Sequence, residues 1–317
     1  MNPQLDIIIV NWNAGIQLTE TLESIAKTQK IGFRFGRAVV VDNASSDGST
    51  DFPGKIDLPL QVIRNTVNRG FSAACNLGAS TGAADYLLFL NPDVTLLNDS
   101  LWKPISFMED AAHKSIGIVG IQLLDGKNNV SRTCARFPTA GRFFAAMIGL
   151  NRLFPGAFKD HFMLEWDHKE SRTVDQVMGA FFLVRGSLFR SLGGFDERFF
   201  VYFEEVDFSL RARKAGFETY FLAEAAAYHK GGGTSDQVRS LRLFYSLRSR
   251  LLYAYKHFSR PATTALALGT LILEPFTRIL YAGFRLSFRE IAETIKAYLR
   301  LWRIAPGLIL TRGRSVK

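Results

Sequence analysis

The apolar residues of the first ninety positions fall in short, unbroken runs: Leu5–Val10, Ala38–Val41, Leu60–Ile63 and Tyr86–Leu90. Each run is strand-length and bounded by turn formers, so each predicts a buried strand. Between the first two, Ile16, Leu18, Leu22 and Ile25 recur at helical spacing and predict a helix. Asn68 is placed to cap another helix running through Asn76 to Ser80. Continuous apolar strands separated by helices indicate a parallel sheet covered on both faces. The predicted fold class is therefore α/β: an open, mostly parallel sheet flanked by helices, with an amphipathic helical segment at the C-terminus.

Beyond residue 100 the pattern weakens. Residues 125–176, with Pro138, Pro155 and many aromatics, suggest a loop-rich insertion that covers a site. Met178–Arg185 and Tyr220–Leu222 predict further strands, and a helix beginning near Glu204 and reaching Lys214 is stopped by Gly216. Tyr228-His229-Lys230 runs into the glycine loop Gly231–Gly233.

In open α/β sheets ligands bind beyond the carboxyl ends of the strands. Here those ends carry Asn11 and Asn13, then Asp42, Asn68 and Asp93. Asp93 follows a proline, which holds its carboxylate rigidly, and Mg²⁺ or Mn²⁺ takes one or two such carboxylates together with substrate phosphates. His229 could add an imidazole or contact a phosphate. Glu204, Glu205 and Asp207 form an acidic cluster among Phe199, Phe200, Tyr202, Phe203 and Phe208, a setting that raises a carboxylate pKa towards general-base use. At helical spacing Glu204 and Asp207 share a face and Glu205 points elsewhere. The stretch Asp42–Gly48 is not a calcium loop, because its glycine is out of register and no Glu closes it. Dinucleotide and Walker glycine patterns are absent.

Composition and charge narrow the class further. With 47% hydrophobic and 21% charged residues among 317, the chain is neither disordered nor a small disulfide scaffold. Cys75 and Cys134 alone fit a reducing compartment, and Met1–Asp6 has no signal-peptide character, so a cytoplasmic start is expected. The net charge of +10 is uneven: residues 1–229 carry 23 Lys+Arg against 25 Asp+Glu, whereas residues 230–317 carry 16 against 4. No nucleic-acid recognition module accompanies this charge. The apolar run Ala265–Leu273 meets Glu274, Pro275 and Arg278 and is expected to break too early to span a membrane. On the next helix Arg285, Arg289, Lys296, Arg300 and Arg303 share one arc, while Phe288, Ile291, Ile295, Tyr298, Leu299 and Trp302 gather on another. That pattern suits a helix lying on an anionic membrane surface.

Several motifs in order make the chain resemble the inverting, A-type glycosyltransferases of family 2, most of all the bacterial rhamnosyltransferases. They are Ile9–Asn13, Val40–Ser49, Asn68–Phe71 with Asn76, Leu90–Asp93, Gly179–Phe181, and Gly194–Glu197 running into Glu204–Asp207, followed by His229. The resemblance covers about residues 5–235. It implies a catalytic domain over 1–235 and a basic helical region over 236–317. It implies that Asp42 binds the donor's base or ribose with Asn11 and Asn13 beside it, and that Asn68 and Gly70 line the donor pocket. Asp93 corresponds to the last acid of the family's D-x-D metal motif, Asn91 replaces its first, and His229 assists at the diphosphate. Glu205 stands where the family has an aspartate base, leaving the proton to Glu205 or Asp207. The implied donor is a dTDP-sugar, dTDP-rhamnose first, or a UDP-sugar such as UDP-GlcNAc or UDP-galactofuranose. The implied acceptor is a saccharide or polyprenyl-linked saccharide, met on the cytoplasmic face of the cell membrane. A non-catalytic sugar-nucleotide scaffold is the contrasting expectation from another class.

Overall fold

The computed structural model describes residues 2–52, 54, 56–231 and 238–314. The chain divides into two compact units. The first comprises Met1–Arg136, Phe162–Asp196 and Glu204–Thr234; the second comprises Phe137–His161, Glu197–Phe203 and Ser235–Lys317.

The first unit is built on one mixed sheet. Its parallel half is β1 (Gln4–Asn11), β2 (Arg34–Asp42), β3 (Leu60–Arg64) and β4 (Tyr86–Leu90), ordered β3-β2-β1-β4. The sheet continues with β5 (Val94–Leu96), β6 (Ile116–Leu124), β7 (Arg172–Val174), β8 (Phe181–Arg185) and β9 (Glu218–His229). β8 runs antiparallel to β4 and β6, β9 runs parallel to β6, and β5 and β7 run antiparallel to β9. The four expected N-terminal strands are all present. The strands β5, β6 and β7 come in addition, and β9 is far longer than Tyr220–Leu222.

The unbroken apolar runs follow from burial on both faces. Ile7, Ile9, Val40 and Leu88 pack on one side with Leu18, Leu22 and Ile25 of α1 (Ile16–Lys27). Ile8, Val10, Val39, Val41 and Phe89 pack on the other with Ala74 and Cys75 of α2 (Phe71–Ala79). Each such side chain removed from water contributes about 2 kcal/mol. Gly78 lets α2 sit close to the sheet, since a Cβ there would meet Ile8 Cγ2 at 2.6 Å. Helix α3 (Trp102–Glu109) packs on β6 and β9. In the second unit α4 (Ala140–Met147) and α5 (Leu150–Leu153) occupy part of the stretch expected to be loop. In the first, α6 (Gly186–Ser191) and α7 (Glu204–Lys214) follow β8, and α7 stops at Gly216, whose φ is +88°.

The rest of the second unit is helical: α8 (Arg239–His257), α9 (Arg260–Leu268), a π turn (Gly269–Leu273), α10 (Glu274–Phe284) and α11 (Phe288–Leu310). The expected break at Glu274 and Pro275 does not occur. Arg260–Phe284 is a 25-residue helical rod, long and apolar enough by length and composition to cross a membrane. Two physical reasons account for this. Glu274 is buried against the guanidinium groups of Arg250 and Arg278, so its charge is compensated. Pro275 falls in the first turn of α10, just past the π turn, where its missing N–H is absorbed by the wider winding.

Candidate active site

The carboxyl ends of β1 and β2 are stitched together by side chains. Asn11 is wholly buried, and its Nδ2 donates to Asp42 Oδ1 at 2.7 Å, Ser45 Oγ at 3.0 Å and Ser49 Oγ at 2.7 Å. It therefore stands behind Asp42 and does not reach the crevice, which corrects its expected place among the donor contacts. Asp42 also accepts from the Ser45 hydroxyl at 2.5 Å. Asn13, at φ +53°, receives the Ser46 N–H on Oδ1 at 2.8 Å, and its own N–H donates to Ser45 Oγ at 3.0 Å. Asp47 accepts from Gly15 N–H at 2.8 Å and Ser49 N–H at 3.0 Å. Burial pushes the Asp47 pKa up, but these bonds together with the Ser49 hydroxyl outweigh it and hold the carboxyl below its usual value. Left-handed backbone at Asn13 and at Ala44, φ +63°, places non-glycine residues in an unfavourable region beside the crevice.

Asn68 does not cap α2. That helix begins after Gly70, φ +87°, and Asn68 Oδ1 instead accepts the Gly70 N–H at 2.9 Å. The organiser of this turn is buried Asn43. It donates to Gly70 O at 3.0 Å and accepts from Arg69 N–H at 3.2 Å and Asn65 Nδ2 at 2.9 Å. Its position next to Asp42 in the quoted motif was the signal that could have singled it out.

The Asn91-Pro92-Asp93 turn is held from several sides. Asn91 N–H donates to Ala180 O at 3.0 Å, Thr21 Oγ1 donates to Pro92 O at 2.8 Å, and Lys230 N–H donates to Asp93 O at 3.2 Å. Pairing of Val94 with His229 across β5 and β9 sets the two functional groups together. Asp93 Oδ1 lies 3.4 Å from His229 Nε2, each side chain 14% exposed. They open onto a cleft of about 500 Å³ whose other walls include Gln17, Glu20, Thr21, Asn128 and Tyr228, none of them singled out from sequence. A depression of about 660 Å³ beside it shares Glu20 and Thr95 but holds neither Asp93 nor His229. Beyond His229 the glycine loop is described only to Gly231; Gly232, Gly233 and Thr234 lie outside the described residues.

Among the described residues, no group of three or more His, Cys, Asp or Glu side chains could hold a metal ion by itself. One carboxylate with one imidazole nonetheless fits a Mg²⁺ or Mn²⁺ whose remaining ligands are phosphate oxygens and water. The donor set suits a metal that arrives with a diphosphate.

The three acids of α7 separate. Asp207 is fully buried, and its Oδ2 accepts from Arg211 Nε at 2.8 Å, one helical turn on. Arg211 also donates to Leu192 O and Gly194 O, both at 2.8 Å, so this pair ties α7 to the glycine turn that follows α6. Asn76 holds the same turn by accepting Phe195 N–H at 2.9 Å and donating to Phe195 O at 2.8 Å. Glu204 is buried with Oε2 unpartnered. Burial and the neighbouring Glu205 charge drive its pKa well above normal, and Glu204 in turn helps raise the buried Cys75 thiol. Glu205 is half-buried, its Oε2 has no hydrogen-bond partner, and burial pushes its pKa up to about 6. A Cβ on Gly179 would lie 4.0 Å from Glu205 Cγ, and the next residue, Ala180, holds Asn91. Glu205 is thus two short steps from the Asp93 turn. It is a carboxyl poised to exchange a proton near neutrality.

Comparison with known proteins fits this arrangement. Residues 6–159 match the model of glycosyl transferase family 2. The chain is 27% identical over 245 residues to the N-acetylglucosaminyl-diphospho-decaprenol L-rhamnosyltransferase of Mycobacterium tuberculosis, covering 72% of this chain and 76% of that one. It is 28% identical over 170 residues to rhamnosyltransferase WbbL of Escherichia coli, covering 53% and 61%. Among solved structures it resembles a mannosyltransferase from Pyrobaculum calidifontis in complex with GDP-Man and Mn²⁺. That match has a TM-score of 0.56 at 16% identity, over 95% of this chain and 88% of the other. It also resembles Staphylococcus aureus TarS 1–349 in complex with UDP, with a TM-score of 0.52 at 15% identity, over 96% and 91%. The shared fold is that of the A-type glycosyltransferases.

Proposed function

Because the chain belongs to glycosyl transferase family 2, we propose that it is an inverting, metal-dependent transferase. It moves L-rhamnose from dTDP-rhamnose onto a saccharide or polyprenyl-linked saccharide acceptor in cell-surface polysaccharide synthesis. The observation that carries this reading is the Asp93–His229 pair at one end of the sheet, tied through Asn91, Ala180 and Gly179 to a carboxyl with a raised pKa. The rhamnosyl group is supported by the two rhamnosyltransferase relatives, and the lipid-linked acceptor by the name of the first alone.

Asp42, held by Asn11 and Ser45, binds the nucleoside, with Asn13, Asn68 and Gly70 around it. Asp93 and His229 would hold a divalent cation, which would supply positive charge against the diphosphate. Glu205 takes the proton from the acceptor hydroxyl as that oxygen bonds to the anomeric carbon. The bond from that carbon to the diphosphate oxygen breaks on the opposite side, so configuration inverts and the nucleoside diphosphate leaves with its electron pair. General-base assistance of this kind is worth about 10²–10⁴-fold. Asp207 is an unsuitable base because it is buried and its carboxylate is engaged by Arg211. A lipid-linked acceptor also calls for a location at the cytoplasmic face of the membrane, as a peripheral protein.

Calorimetric titration with dTDP and UDP, each with and without Mn²⁺, tests the reading. Metal-enhanced binding of dTDP over UDP is expected. Preference for UDP would move the donor to a UDP-sugar such as UDP-GlcNAc or UDP-galactofuranose. Binding of neither by folded protein would leave a non-catalytic scaffold.

A further inference from the structure

The second unit carries a large apolar surface of its own. Along the rod Arg260–Phe284, one face is buried through Leu266, Thr270, Glu274 and Ala282. The opposite face presents Leu268, Ile272, Phe276, Leu280 and Phe284 at four-residue intervals, with Phe276 68% and Phe284 80% exposed. α10 and α11 pack together, and Trp302 Nε1 donates to Leu271 O at 2.9 Å, which fixes α11 alongside the rod. The exposed apolar residues of α11, Phe288, Ile295, Leu299 and Trp302, share one arc of that helix. Tyr298, expected on this arc, turns inward and is buried. Next to the apolar arc runs the basic one, with exposed Arg289, Arg300 and Arg303, and with Lys296 and Arg285 paired to Glu293 and Glu290. On the rod's other flank Arg152 of α5 stacks 4.8 Å over Tyr281, next to exposed Leu153 and Phe154.

We propose that this two-helix face docks flat on an anionic lipid bilayer, the rod and α11 lying side by side in the plane of the interface. The proposal deepens the membrane location stated above and rests on it. A soluble surface rarely leaves so many contiguous large apolar side chains exposed. A face of Phe, Leu and Trp bordered by arginines matches the boundary between acyl chains and anionic headgroups, where such helices sink about 5–10 Å. Charge decides the occupant: exposed Arg289, Arg300 and Arg303 border the apolar arc, and a second copy of the same face would repel them while anionic lipid would attract them. The one-sided burial decides the orientation. Only 39% of the rod's apolar window is buried, yet Thr270 and Glu274 on the inner side are bonded to Arg250. A membrane-crossing helix would have to break that network or carry it into hydrocarbon, whereas a helix lying flat keeps it.

The test is sedimentation of the full chain with phosphatidylcholine vesicles and with vesicles containing one-third phosphatidylglycerol. Binding to the anionic vesicles is expected, with release by high salt and alkaline carbonate. Replacing Phe276 and Leu280 together by Ser should weaken binding on the order of 100-fold. Replacing Arg289 and Arg300 together by Gln should weaken it about 25-fold, roughly five-fold for each charge, on anionic vesicles alone. Circular dichroism and nucleotide binding on the same variants report folding and the transferase reading separately, so loss of vesicle binding with nucleotide binding intact concerns this face only. Wild-type protein left in the supernatant with both vesicle types would overturn the proposal. So would release by detergent alone, which means a crossing helix, or a dimer that the Phe276 and Leu280 changes dissociate while vesicle binding persists.

Discussion

Asp207 Oδ2 and Arg211 Nε lie 2.8 Å apart on one turn of α7, and the same guanidinium reaches the carbonyls of Leu192 and Gly194. A carboxylate so engaged fixes the start of the helix that carries Glu205. Removing one partner of a buried pair strands the other, which typically costs about 3–5 kcal/mol. Asp207→Ala is therefore expected to lower the urea midpoint markedly. Arg211→Met should do the same, and the double variant should lose less than the two single losses added together.

Glu205 behaves differently with pH. Its pKa is raised by burial to about 6 from an ordinary 4.5. In the proposed role of base it must be ionised, so turnover should rise roughly ten-fold per pH unit below about 6 and level off above it. The stability sign is opposite. A carboxyl with a raised folded pKa stabilises the fold fully below 4.5, and that contribution is lost as pH rises through about 6. Glu205→Gln should therefore be more stable than the parent at pH 8 by about 2 kcal/mol, and no more stable at pH 4. Thermal melts at both pH values check this.

In the proposed metal site, Asp93 and His229 lie 3.4 Å apart and would offer a cation two ligands from the described residues. Free Mn²⁺ should bind weakly and nucleoside diphosphate should tighten it. Chelation should weaken nucleotide binding, and Asp93→Ala should abolish that metal dependence with the fold intact. Calorimetry with and without a chelator reads both effects.

Asn11 organises a site it does not touch. Asn11→Ala removes the amide that contacts Asp42, Ser45 and Ser49 and leaves all three less well held. A loss of about 1–3 kcal/mol in stability is expected, together with weaker nucleotide binding. Asn13→Ala should leave stability closer to the parent, since Asn13 is only half-buried.

The parts of the fold legible in the sequence are those whose physics is local. β1, β2 and β4 read as strands because both faces are buried and the apolar run is uninterrupted. β6 was not read, since Gly117 and Gly120 dilute its run; both are required by close packing, Gly120 against Val177. β5 is only three residues long and exists through its pairing with β9. The rod Arg260–Phe284 was read as broken because compensation of Glu274 comes partly from Arg250, 24 residues away. In the candidate site, the placing of Asp42 at the carboxyl end of β2 and of Asp93 just beyond that of β4 was legible from the apolar runs before them, whereas His229 stood out only by its setting beside the glycine loop. That Asn11 is buried and Asn68 serves a turn depends on partners from other segments, which spacing does not reveal. The Asp207–Arg211 bond was within reach of a local reading, as an i,i+4 pair on one helix.

The central claim is that Glu205 takes the acceptor proton in a sugar transfer, and its most direct test is the turnover of Glu205→Gln with dTDP-rhamnose and a lipid-linked saccharide acceptor. The account predicts a fall in kcat of about 10²–10⁴-fold, with affinity for dTDP and Mn²⁺ unchanged and the rise through pH 6 abolished. Turnover at the parent rate in the Gln variant, with the same pH profile, would contradict it.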